Sequence, residues 1–175
     1  MIFIVKPALE FKKLSEVTLE EAYGTYGIYV LWHGRAKTRP SYIGQGDILK
    51  RFSFHVDSEM SWPLKGYIAI MGGQHRKTNK KLAELAEAIL LDCADLIDKW
   101  PNGNAKIGHW RLVEHTLERY NAIRIYLKGY NPFRPPDTSL ECDNKKLIQI
   151  ENTTYEYSSF PWKKRHERTA EYRRI

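Results

Sequence analysis

One apolar stripe constrains this chain more than anything else in it. Leu82, Leu85, Ile89, Cys93, Leu96 and Trp100 recur at helical spacing between about residues 79 and 100, which predicts a long helix that must bury one face. On a wheel at ~100° per residue, Glu84 points directly away from the stripe. Glu87 lies on its flank, one turn before the apolar Leu91. The surface for that helix to cover is expected from three β-branched and aromatic runs upstream, residues 27–32, 41–44 and 66–71. The first two should pair antiparallel. The loop between them carries Gly34, Pro40 and the cations Arg35, Lys37 and Arg39, as an exposed hairpin connection would.

Around this frame, residues 14–23 have a helical pattern ended by Gly24, and Asp47 is a plausible N-cap for a helix with Ile48, Leu49, Phe52 and Val56 inward. Arg51 and His55, four residues apart, then share one face. Residues 110–127 read as helical, 132–137 as an irregular stretch rich in proline, and 147–150 as a strand. The tail behind Pro161 is expected to be a short helix or disordered.

Charge points to a partner class. Lys and Arg number 28 against 21 Asp and Glu, a net charge of +7. Residues 163–175 alone hold six basic and two acidic side chains. Such an excess favours polyanions such as nucleic acid. Two cysteines, Cys93 and Cys142, are too few for a disulfide framework or a four-cysteine zinc site, so a reducing, cytoplasmic setting is the expectation. The apolar start, residues 1–5, is short of a signal-peptide core, and no run approaches a membrane span. A soluble, unprocessed intracellular protein is expected.

Taken in order, the chain offers a Gly27-Ile28-Tyr29 strand, a Tyr42-Ile43-Gly44 strand, a helix with Arg51 and His55, another strand, and a helix with Glu87. This order resembles the GIY-YIG nuclease family over roughly residues 24–104. The resemblance implies an α/β (α+β) fold, a small antiparallel three-stranded sheet flanked by helices. It implies a divalent-metal-dependent endonuclease of the restriction or mobile-element type, hydrolysing DNA phosphodiester bonds with Mg²⁺ or Mn²⁺. By the same resemblance Tyr29 and Tyr42 take the places of the motif tyrosines, Arg51 of the catalytic arginine, and Glu87 of the metal-binding glutamate. His55 falls where some restriction enzymes of the family also have histidine. Donation to the scissile phosphate, proton relay and orientation of Tyr29 all remain open to it. Asn104 is the choice for the family's terminal asparagine, with Asn102 and Asn131 as competitors.

These residue types suit the reaction. Phosphodiester hydrolysis needs an activated water and relief of charge on the phosphoryl and leaving oxygens. A tyrosine, with an ordinary pKa of about 10, acts as a base near neutrality only if nearby cations lower that value. The planar fork of Arg51 matches phosphate oxygens. One carboxylate holds a divalent ion weakly, so metal binding should depend on DNA. The chain departs from the family in its longer hairpin loop and in Gln45, where many members carry lysine.

Residues 1–104 are therefore expected to form a GIY-YIG-like catalytic domain, and 105–175 a basic extension packed on the same core and contacting DNA. The expected DNA contacts are Arg35, Lys37, Arg39, Arg76, Lys77, Lys163, Lys164 and Arg165, on double-stranded DNA and with no membrane partner. A restriction enzyme acting on palindromes would be a homodimer. The cluster His109, Arg111 and His115 could imitate a metal site, but no acid or cysteine completes it and it reads as a solvated helix face; Tyr120, Tyr126, Tyr130 and Phe133 read as the core of a C-terminal subdomain. The alternative function is a non-catalytic nucleic-acid-binding module or inhibitor on the same scaffold.

Overall fold

The computed structural model describes residues 1–32, 38–51, 65–73, 77–96, 99, 101, 103–104, 108–134, 136, 141–151, 154–156 and 167–169. Its strands are β1 (Ile2–Ile4), β2 (Leu9–Lys13), β3 (Thr25–Trp32), β4 (Tyr42–Asp47), β5 (Lys65–Gly73), β6 (Ala122–Tyr130), β7 (Glu141–Glu151), β8 (Thr154–Glu156) and β9 (Glu167–Thr169). Its helices are α1 (Leu19–Ala22), a helical turn at residues 48–51 (α2), α3 (Lys77–Leu96) and α4 (Trp110–Leu117).

The expected small three-stranded sheet is corrected. β4, β3 and β5 do lie side by side and antiparallel, with Tyr29 opposite Gly44 on one side and Ile68 on the other. They form one end of a larger mixed sheet that curls into a half-barrel, with few helices around it. β2 continues the sheet from β5, antiparallel to it and parallel to β6. Because β7 pairs along β6 from Ala122 to Tyr130, the short β1 and β2 must share the other edge of β6, so seven strands fill six positions.

The missing strands came from segments read otherwise. Residues 110–127 were expected to be one helix, yet α4 stops at Leu117 and β6 begins at Ala122. In β6, Ile123, Ile125 and Leu127 are buried in alternation with Arg124, Tyr126 and Lys128. A period of two with β-branched residues favours strand over helix. Likewise the expected helix over residues 14–23 is a single 3₁₀ turn, Leu14–Glu16, followed by α1. Thr18 restarts the chain as an N-cap, its hydroxyl accepting from the Glu21 N–H while the Glu21 carboxylate accepts from the Thr18 N–H. In the tail, residues 167–169 pair antiparallel with β8 rather than forming a helix.

The two faces of the β3–β4–β5 end carry different clusters. Ile28, Val30, Trp32, Ile43, Tyr67 and Ala69 belong to the main core, and Tyr29, Leu31, Ile48 and Ile68 to a smaller one with Ala22. α3 packs on β3, β4, β5 and α4. From Leu85 to Ala94 it is buried all round, beyond the one-sided burial the stripe predicted, because sheet and α4 cover it from two sides. No helix among the described residues is long and apolar enough to cross a membrane.

Candidate active site

Alternation along β4 sends Tyr42, Gly44 and Gly46 to one face and Ile43 and Gln45 to the other. Tyr29 reaches over its cross-strand neighbour Gly44 from β3 and stacks on Tyr42, ring centroids 5.9 Å apart and planes 17° from parallel. Such stacking contributes about 0.5–1.5 kcal/mol beyond burial. Gly44 is what admits the pair. A Cβ there would lie 2.5 Å from the Tyr29 Oη and 2.6 Å from the Tyr42 Cε1.

The next glycine turns the chain out of the sheet. Gly46 has φ +144°, a value side chains rarely adopt, and Asp47 then caps α2 by accepting from the Lys50 N–H at 3.2 Å. This brings Arg51 back across the strand, with its Cγ and Nε each 3.1 Å from the position a Gly46 Cβ would take. Glu87 comes from the middle of α3, only 9% exposed.

Electrostatics tie these four side chains together. Burial pushes the Tyr29 phenol far up, with the neighbouring Tyr42 and Glu87 adding to the rise and the Arg51 guanidinium opposing it. Tyr42 is pushed up by burial, then by Glu87, again against Arg51. Glu87 is raised to about 7, chiefly by burial, with Arg51 opposing and Glu84 adding. The sequence argument required cations to depress Tyr29. In the free protein desolvation wins, so Tyr29 rests as a neutral phenol.

Asn104 does something the sequence did not suggest. Its Oδ1 accepts from the Ile43 N–H and its Nδ2 donates to the Ile43 carbonyl, both at 2.9 Å and buried. The side chain thus acts like a further strand along β4, and it holds the segment between Tyr42 and Gly44. Gln45 is buried on the face away from Tyr42.

One residue beside the carboxylate was named in the sequence but set aside. The His109 Nε2 lies 3.9 Å from the Glu87 Oε2, although the sequence assigned it to a solvated face. Arg111 and His115 are exposed, and His115 pairs with Glu118 at 3.0 Å. No local pattern could have separated His109 from them, since its position depends on how α4 lies against α3.

Among the expected DNA contacts, Arg39 is exposed and Lys77 begins α3. His55, Arg35, Lys37, Arg76, Lys163, Lys164 and Arg165 lie outside the described residues. Asn102, one of the competing asparagines, also lies outside them; Asn131 is buried and accepts from the Phe133 N–H.

The donor set bears on a metal. Among the described residues no group of three or more His, Cys, Asp and Glu is gathered. What is present is a buried carboxylate held near 7, a group that gains its charge when a cation arrives. This fits an ion held by few protein ligands and completed by water and substrate oxygens. No family model, curated protein or solved structure matches this chain.

Proposed function

We propose that the chain is a divalent-metal-dependent endonuclease that hydrolyses DNA phosphodiester bonds. The observation that supports it is the convergence of two stacked phenols, a guanidinium and a buried carboxylate, drawn from β3, β4, α2 and α3 and electrostatically coupled. Arg51 offers paired N–H donors to phosphoryl oxygens and stays charged throughout. Tyr29, neutral at rest, orients a water by hydrogen bonding and relays its proton, passing its own phenolic proton to a phosphoryl oxygen of the substrate as it takes one from the water that attacks phosphorus. Tyr42 packs the Tyr29 ring and screens it from solvent. Glu87 would hold the ion, which when bound supplies neutralisation of charge on the phosphate. The net charge of +7 supplies the salt-sensitive attraction to the DNA backbone.

Supercoiled plasmid incubated with the protein and Mg²⁺ or Mn²⁺ tests this. Nicking or linearisation that chelation abolishes is expected, and Arg51→Ala and Glu87→Ala each remove it while salt-sensitive binding survives. Retardation of the plasmid without cutting, under both ions, makes the chain a binding module instead.

A further inference from the structure

His109 sits in a conformation that its own helix does not use. It is the one non-glycine residue with positive φ among those described, at 57°, a left-handed value that β-carbon sterics make uncommon. It occupies the N-cap of α4, yet its side chain makes no capping hydrogen bond. The ring instead approaches Glu87, and it remains 42% exposed against 11% for the Glu87 side chain, so one group is open to solvent and the other lies behind it.

The 3.9 Å separation of the His109 Nε2 and Glu87 Oε2 is too long for a hydrogen bond, which ends near 3.2 Å for N–H···O. It suits another relation. Two ligand atoms each about 2.1 Å from one ion can lie up to about 4.2 Å apart, and they close toward about 3 Å when the ion binds them at right angles. Small rotations of the half-exposed imidazole cover that range. An imidazole beside a carboxylate also changes which ion is preferred, because Mg²⁺ favours an all-oxygen shell while first-row transition ions accept nitrogen.

We propose that His109 is a second protein ligand of the divalent ion held by Glu87, and that the site therefore favours a first-row transition ion over Mg²⁺. This rests on the reading of Glu87 as metal ligand given above. Its consequence differs from that of a lone carboxylate: the ion binds without DNA.

The test uses full-length, DNA-free protein and Mn²⁺ alone, followed by electron paramagnetic resonance of free Mn²⁺ and by nitrogen modulation of the bound ion's spin echo. The wild type should bind Mn²⁺ with imidazole nitrogen modulation and resist displacement by Mg²⁺. His109→Asn is the informative variant, because asparagine tolerates the left-handed backbone and lacks the ring. It should lose the nitrogen signal and bind Mn²⁺ at least about tenfold more weakly, while His115→Ala, on the same helix, changes neither. Circular dichroism confirms that each variant is folded, and His109→Gln supplies a second substitution if asparagine disturbs α4. Nitrogen modulation or wild-type affinity surviving in both His109 variants overturns the proposal, as does absence of Mn²⁺ binding to the DNA-free wild type. Loss of Mn²⁺ in Glu87→Gln with full retention in the His109 variants overturns it and leaves the Glu87 reading standing. Retention of wild-type Mn²⁺ binding in Glu87→Gln overturns both.

Discussion

Two tyrosine pairs in this sheet look alike and sit in different surroundings. Tyr67 and Tyr29 occupy neighbouring strands, both essentially solvent-free, and each lies against a second tyrosine less than 6 Å away, Tyr130 tilted by 30° and Tyr42 stacked. They point to opposite faces, since Val30 is the cross-strand neighbour of Tyr67 and Ile68 that of Tyr29. The Tyr67 hydroxyl donates to the Arg134 carbonyl and the Tyr130 hydroxyl to the Glu16 carboxylate, both at 2.9 Å. That pair pins the loop after β6, and the 3₁₀ turn, to the sheet. Around Tyr29 and Tyr42 the surroundings are ionic, with the fields of Arg51 and Glu87 opposing one another at both phenols. Burial is common to the two pairs. The charge arrayed beside the phenol oxygens separates them.

Removing the hydroxyl from each pair separates the two roles, and this is the largest effect expected. Tyr29→Phe should lower plasmid cleavage by about 10²–10⁴-fold, the span of a positioned acid–base group. Tyr67→Phe should leave cleavage within about twofold, as for a side chain remote from the chemistry. Equal losses in the two variants would erase the distinction.

Glu87 sharpens the comparison through pH. Its carboxyl is held near 7 in the folded chain against an ordinary 4.5, so the folded state binds the proton more tightly than the unfolded one between those values. Wild-type stability is then fully present below about pH 4.5, declines as pH rises toward 7, and levels off above. Glu87→Gln keeps the shape and cannot ionise. In the presence of a chelator it should match the wild type at pH 4 and exceed it at pH 8 by at most about 3 kcal/mol. Urea unfolding at the two pH values checks this. A variant less stable than wild type at pH 8 would mean that Glu87 is not a destabilised carboxylate.

How much of this was visible in the sequence follows from which interactions are local. The antiparallel pairing of the strands that carry Tyr29 and Tyr42 was legible because two β-branched and aromatic runs flank a loop with Gly and Pro, whereas the register that sets Tyr29 over Gly44 was not, since the long loop leaves it open. Arg51 was singled out by the family resemblance, and Asp47 was legible as the cap of its helix, but the turn at Gly46 that returns the side chain across the strand was not. The larger sheet was not, since β1 and β2 join β6 from more than a hundred residues away and the parallel pairing leaves no local turn signal. The helix expected over residues 110–127 failed for a related reason: the period-two burial of Ile123, Ile125 and Leu127 becomes decisive only once β2 and β7 flank them. Asn104 was singled out as a catalytic candidate, but its bonds to Ile43 could not be read from a sequence separation of 61 residues. His109 depended on the placement of α4 against α3, which nothing local encodes.

Gly44 tests the ring geometry apart from the hydroxyls. A methyl group at this position would collide with ring atoms of Tyr29 and Tyr42 rather than with backbone, so the rings must move while the strand pairing can stay. Gly44→Ala is expected to cut cleavage by about 10²-fold, the scale of an ångström's misplacement at a reacting centre, with little change in melting temperature. A large fall in melting temperature would instead assign Gly44 to the strand pairing itself.

The smallest effect belongs to the structural pair, and it runs opposite in kind. Tyr67→Phe deletes one part-buried hydrogen bond to the Arg134 carbonyl, which contributes about 1 kcal/mol net. For a chain of this size that lowers the melting temperature by about 2–4 °C, while the Tyr67 ring keeps its contact with Tyr130. Measured beside Tyr29→Phe, the variant should lose stability and keep cleavage. A Tyr67→Phe protein with unchanged melting temperature would show that the Arg134 carbonyl finds another donor, and that the loop after β6 is held by packing of Phe133 rather than by the phenol.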